Sequence, residues 1–413
     1  MLLYRCVMVH DIRTITDDEL PAWTAAVSTG FFRTTGDAGA ELRRAWMELD
    51  RTWGAFDGAE IAATARSFPT SMTVPGGNGI DVSALTAVTT TSTHRRRGLA
   101  SRLVHADLVA AKERGEIASV LIAAEWPIYG RFGFGPSTES QRAVIDARAG
   151  RLREPIAGSV EFIERAVARE IVPPVYDGHR VRYVGEIQRL PHFWDLELGV
   201  VVDPAWPAPK AGFFVRATDG DGASGLVSYS YEDKEKGRVP ASEVTVNFMF
   251  APNPTVEALL WQHLLALDLV ATITVGEMPA DSVLPWLLTD GRHVQFQHRS
   301  DFHWLRPLDV PKMLTSRAFH ASGSVVLEII DSLGFTGGRY ALDATPSGAT
   351  CVATTASADL TMGVAACGSL YLGGHRLRTL AAAGLIDVHS QGAADVLDSL
   401  LHSPTAPFSA TWF

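Results

Sequence analysis

The sequence predicts a chain of mixed strands and helices, α+β in class and divided into three units. Three observations predict it. Residues 85–115 read as a β-branched run, a basic glycine turn and a helix; residues 243–267 repeat strand, loop and helix; and from residue 302 onward strands come first and helices after. With 413 residues, 46% of them hydrophobic and 20% charged, the chain is too long for one ordinary domain and can bury several cores.

In order, residues 4–9 read as a first strand. Thr16-Asp17-Asp18-Glu19 offers an N-cap and an acidic first turn to a helix over 20–29. Residues 51–56 and 60–73 look like paired strands about an Asp57-Gly58 turn, and 75–79 is a loop by composition. The run Val88-Thr89-Thr90-Thr91 breaks at Ser92-Thr93-His94 and turns through Arg95-Arg96-Arg97-Gly98 into a helix carrying Leu99, Leu103, Leu108 and Ala110. A short buried strand follows over 118–124, and a strand over 144–153 would close the first unit. Between 154 and 191, Pro155, Pro173, Pro174 and a short charged helix over 161–169 suggest a boundary. Strands at 213–215, 225–231 and 243–250, with a charged turn at 232–237, lead to Ala251-Pro252-Asn253-Pro254-Thr255 and a leucine-rich helix. The last unit has one helix, strands at 323–330, 338–343 and 350–354, and a mostly helical 359–386 broken at Gly373-Gly374.

A formal net charge of −10, from 36 basic and 46 acidic residues, argues against nucleic acid as a partner and suits a cationic substrate. Cys6, Cys351 and Cys367 show no CxxC spacing, so neither a disulfide framework nor a zinc site is predicted, and a reducing cytoplasm fits. His94, His105, His320 and His375 are scattered and read as structural, with no metal. No apolar run approaches the length of a membrane span, and the N-terminus lacks a signal pattern.

The turn at 95–101 places unpaired backbone N–H groups at a helix N-terminus beside guanidinium groups, a setting that favours a phosphate or pyrophosphate. It matches neither GxxxxGK[ST] nor GxGxxG. Arg95, Gly98 and Ala100 after a strand instead resemble motif A, R/Q-x-x-G-x-G/A, of the GNAT N-acetyltransferases. Downstream, the segment IYGRFGFGP (128–136) is similar to their tyrosine and glycine-phenylalanine segment. The second strand-loop-helix lacks such a turn and is expected to hold no coenzyme A. WLRPLDVPKML and GSLYLGG together resemble the sterol-carrier-like C-terminal domain of the enhanced intracellular survival (Eis) acetyltransferases, and the resemblance covers nearly the whole chain.

That resemblance implies a catalytic GNAT domain over 1–155, a degenerate GNAT-like domain over 156–303 and a sterol-carrier-like domain over 304–413, assembled as a homohexamer. It implies acetyl-CoA as cosubstrate. Val88, Thr89 and Thr90 would offer backbone groups to the pantetheine arm, thioester and oxyanion. Arg96, Arg97, Gly98, Leu99, Ala100 and Ser101 would hold the pyrophosphate, with Ala124 and Glu125 lining the opposite side. Ser92 stands where the family usually has proline.

Tyr129 would protonate the departing thiolate. The family points to the terminal carboxylate of Phe413 as base. An α-carboxyl of ordinary pKa about 3.3 to 3.7 is a poor base in water, and desolvation beside Trp412 and Phe413 should raise it. Phe31 and Trp126 are candidates for the acceptor pocket. The implied reaction is acetyl transfer to primary amines of cationic small molecules such as aminoglycosides. Two alternatives stand beside it: a protein lysine as acceptor, or a lipid carrier whose acetyltransferase domain is vestigial.

Overall fold

The structure is a computed structural model that describes residues 10–206, 209 and 212–413. The strand expected over 4–9 lies outside them. The first unit opens with β1 (Asp11–Thr14), α1 (Leu20–Gly30) and α2 (Ala40–Arg44). It continues through β2 (Thr52–Asp57), β3 (Glu60–Thr73), β4 (Gly79–Thr90), α3 (Leu99–Glu113), β5 (Ala118–Ile122), α4 (Trp126–Tyr129) and β6 (Gly135–Pro136). The second runs through β7 (Glu139–Asp146), β8 (Ser159–Ile163), α5 (Arg165–Arg180), α6 (Pro191–Glu197), β9 (Phe213–Thr218) and β10 (Ser224–Glu232). A small hairpin, β11 (Glu235–Lys236) and β12 (Val239–Pro240), precedes β13 (Ser242–Phe250), α7 (Pro254–Leu265), β14 (Val270–Met278), α8 (Leu284–Leu287), β15 (Val294–Asp301) and β16 (His303–Pro307). The third holds α9 (Val310–Ser316), β17 (Gly323–Ile330), β18 (Gly338–Thr345), β19 (Gly348–Ala353), β20 (Leu360–Gly363), α10 (Val364–Tyr371), α11 (Leu377–Ala382), β21 (Ile386–Val388) and α12 (Ala393–Leu401).

Two seven-stranded sheets, β1-β2-β3-β4-β5-β16-β6 and β15-β7-β14-β13-β10-β9-β8, have matching plans. Each is antiparallel except for one parallel pair, β4 with β5 and β13 with β14. The third sheet is five-stranded, β19-β18-β17-β20-β21. Its helices and strands pack on one face of the first sheet in a shared core that joins Val82 and Val120 to Val325, Leu327 and Leu370. Among the described residues, no helix is long and apolar enough to cross a membrane.

The structure corrects the sequence reading in three places. The strand expected over 144–153 at the end of the first unit is β7, and it pairs with β14 and β15 in the second sheet. It stops at Asp146 because that carboxylate accepts the amides of Arg148 and Ala149 at 3.1 and 3.2 Å, a turn that competes with further pairing. In return β16 crosses into the first sheet between β5 and β6. The helix expected over 161–169 is split: β8 pairs with β9, and α5 runs on to Arg180 through Pro173-Pro174. Its buried stripe of Ala168, Val172, Tyr176 and His179 has helical spacing, and that burial outweighs two interior prolines. Finally, residues 360–363 of the segment read as mostly helical form a strand.

Candidate functional site

β4 and β5 are parallel partners only from Val82 to Ala84, against Ala118 to Val120. Beyond that β4 continues without β5 to Thr90, still paired with β3 but bulged where Ala87 takes a positive φ of 52° and the register slips. The result is a fork. Its free arm presents Val88, Thr89 and Thr90, and its other arm ends at Ala124 and Glu125, both exposed.

At the end of the free arm sits the basic turn. Arg96 and Gly98 are both left-handed, with φ of 63° and 75°, and Gly98 is the N-cap of α3 with no side chain closing the cap. A Cβ at Gly98 would meet no atom of the described residues within 4 Å, so among them glycine is required by conformation and not by space. The amides of Leu99, Ala100 and Ser101 begin a fifteen-residue helix and have no intrahelical acceptor. Arg95, Arg96 and Arg97 are exposed around them, while Leu99 is buried and anchors the helix start. This geometry fits a diphosphate. The equivalent helix of the second sheet does not: Asn253 caps it by accepting the Val256 amide at 2.8 Å, and Pro254 supplies no N–H.

With Ser92 in the place of proline, the turn is braced by His94. The His94 ring meets the hydroxyls of Thr91 and Thr93 at 3.1 and 2.9 Å through Nδ1, and Asp57 at 3.2 Å through Nε2. His10 joins the same carboxylate at 3.7 Å, so His10, Asp57 and His94 hold three ligand atoms within 4.8 Å of one another. The sequence reading of scattered histidines missed this donor set, whose members are brought together only by folding.

Tyr129 is buried, in the apolar cluster that contains Leu85 and Leu99 with Val88 packed against it. Burial pushes its phenol up to about 12, so it keeps its proton at neutral pH. Gly133 and Gly135 after it serve packing. A Cβ on Gly135 would lie 2.0 Å from the Ala365 carbonyl oxygen, so GFG is the seam where α10 docks.

The tail is pinned by a buried clamp. Glu186 accepts from Ser409 Oγ at 2.8 Å, the Ala410 amide at 2.9 Å and Thr411 Oγ1 at 2.6 Å. Arg189 donates to Thr411 Oγ1 at 2.9 Å and pairs with Glu197. His303 Nε2 lies 3.1 Å from the Thr411 carbonyl oxygen. Burial alone would raise the Glu186 carboxyl, but Arg189 and the tail hydrogen bonds hold it below the ordinary value of 4.5. The clamp delivers Phe413 edge-on to Phe68, ring centres 5.4 Å apart.

Phe413 and Trp412 thereby line a cavity of about 920 Å³ together with Phe31, Arg66, Phe68, Thr86 and Ala87. Thr86 and Ala87 belong to the forked strand, so the cavity reaches the fork. Phe31 is on its wall. Trp126 is not: its indole donates to Asp301 at 2.9 Å and its ring meets Trp304. The cavity is lined from the second sheet too, by residues such as Phe248 and Glu277, a contribution the sequence reading did not foresee.

A sheet forked beside a helix whose first amides are open is the frame of a GNAT-type acyltransferase, a class that takes its acetyl group from acetyl-CoA. Two family models described as acetyltransferase (GNAT) domains match residues 11–137 and 185–307, and a sterol carrier protein domain matches 310–410. An uncharacterized N-acetyltransferase of Streptomyces griseus is 41% identical, covering 97% of this chain and 99% of its own. N-acetyltransferase Eis of Mycobacterium tuberculosis is 31% identical over 89% of this chain and 90% of its own. The crystal structure of Eis1 from Mycobacterium abscessus superposes with a TM-score of 0.86 at 31% identity, covering 98% of this chain and all of that one. The chain belongs to the Eis family of N-acetyltransferases.

Proposed function

We propose that this chain transfers acetyl from acetyl-CoA to a primary amine held in the cavity, with small polyamine-like molecules, aminoglycosides among them, as the acceptor class and a homohexamer as the working assembly. The observation that carries the reading is the open helix start at Leu99–Ser101 beside the forked β4. Acetyl-CoA supplies an activated thioester. The protein's own part is positional. Amides and guanidinium groups of 96–101 grip the diphosphate, with Ala124 and Glu125 across from them. Backbone groups of Val88, Thr89 and Thr90 align the acyl carbonyl and meet the developing negative charge. Tyr129, protonated and buried beside the fork, gives its proton to the leaving sulfur. The carboxylate of Phe413, held at the cavity by the Glu186 clamp, takes a proton from the amine, and Phe31 forms part of the wall.

The test is a chain extended by a few residues beyond Phe413. Acetyl-CoA should bind it with an undiminished calorimetric signal while acetylation of amines falls to background. Full-rate acetylation by the extended chain would remove the terminal carboxylate from the mechanism.

A further inference from the structure

We infer that the cavity also accepts amines that bear an acidic group, beyond the polycations proposed above, and that Arg66 holds that group; the inference rests on the cavity being the acceptor site proposed above. Arg66 lies on β3, is 9% exposed and lines the cavity. Among the described residues its Nε has no hydrogen-bond partner and it forms no ion pair. A buried guanidinium without an anion is costly.

Among the described residues the acidic side chains around it are engaged elsewhere, and the Phe413 carboxylate, also at the cavity, forms no ion pair with it. Glu48 is paired with Arg51 at 2.9 Å, Asp203 with Arg43 at 2.5 Å, Glu257 with Arg182 at 3.0 Å, and Glu197 with Arg189. Glu277 accepts from the Trp412 indole at 3.4 Å. Residues 1–9, 207–208 and 210–211 contain no Asp or Glu, so they hold no acidic side chain.

What surrounds Arg66 is aromatic. Its guanidinium carbon lies 4.9 Å from the Trp46 ring centre and 5.6 Å from that of Phe68. Trp46 is stacked on His192 at 4.1 Å, and His192 on Phe193 at 4.6 Å. These faces orient the guanidinium and offset part of its desolvation, but they leave its N–H groups without acceptors. Burial lowers Arg66 only to about 10, so it is charged at neutral pH, while burial and Arg66 hold His192 near 4 and neutral. Arg66 is thus a buried cation of the cavity wall with no ion pair among the described residues, set in a ring box, whereas Arg33 on the same wall stacks on Trp206 at 3.8 Å. A planar guanidinium in that position matches two oxygens of a carboxylate, sulfate or phosphate. An amine that also bears such a group, as amino acids do, supplies the missing anion. A pure polycation does not.

Matched pairs differing only in the acid test this: lysine against cadaverine, phenylalanine against phenethylamine, and phosphoethanolamine against ethanolamine. Calorimetry with coenzyme A present should show the acid-bearing member of at least one pair binding about 10- to 100-fold tighter, the range of a hydrogen bond to a charged group. The pair that responds distinguishes carboxylate from phosphate. Arg66→Gln should bring that ratio near one and Arg66→Lys should restore part of it, with the coenzyme A heat confirming that each variant is folded. Equal or weaker binding of the acid-bearing member in every pair, absence of binding included, overturns the inference. A binding preference without acetyl transfer to either member supports the inference and counts against the acetyltransferase reading instead.

Discussion

Replacing Glu186 by Gln should unfasten the tail without touching the fork. The carboxylate takes three tail hydrogen bonds, from Ser409, Ala410 and Thr411, and hydrogen bonds to charged groups contribute about 1.5 to 3 kcal/mol each. A neutral amide keeps one acceptor oxygen, presents an NH₂ where the other stood, and takes a countercharge from Arg189. The loss should be about 3 kcal/mol, after allowing for Ser409 and Thr411 hydroxyls that can rotate, or roughly 100-fold in the docking equilibrium. Two readouts follow it: the rate at which carboxypeptidase removes Phe413, and turnover on an amine at saturating acetyl-CoA. Trimming should quicken and turnover fall, with coenzyme A affinity intact. Faster trimming with wild-type turnover would refute the terminal carboxylate as base. Unchanged trimming would refute the clamp.

Tyr129→Phe should lower kcat by about 10² to 10⁴ with coenzyme A affinity unchanged, read by steady-state kinetics beside calorimetry. Gly98→Ala meets no atom of the described residues within 4 Å, so its cost is the left-handed backbone alone, about 1 kcal/mol; coenzyme A should bind about fivefold more weakly. Because the Glu186 carboxyl is depressed below 4.5, its contribution to stability is complete above that value and is lost as pH falls through the lower folded one. Carboxypeptidase is itself pH-dependent, so the release is best followed by Trp412 fluorescence, which should change only below about pH 4.5.

The turn at 95–101, the tyrosine segment and the aromatic terminus were legible because each is local: a few consecutive residues specify the backbone and the chemistry. The clamp was not, since Glu186 and Thr411 are 225 positions apart and neither residue looks unusual in its own neighbourhood. Arg66 sits in a stretch read only as one of two strands paired about the Asp57-Gly58 turn, and only folding shows that it packs between Trp46 and Phe68 without an anion. The prolines of α5 misled for a physical reason. Their local cost is real, and tertiary burial of one helix face exceeded it. The same locality explains Trp126, which has the aromatic character of a pocket wall but faces Asp301.

The reciprocal placement of β7 and β16 has a consequence for anyone wishing to isolate the catalytic half. Ending the chain near residue 155 would strip β5 of its antiparallel neighbour, leave the two residues of β6 unattached, and set β7 loose with nothing to lie against. Such a fragment would expose an apolar flank and aggregate. The two sheets are interlocked, and the intact chain should melt through them in a single endotherm.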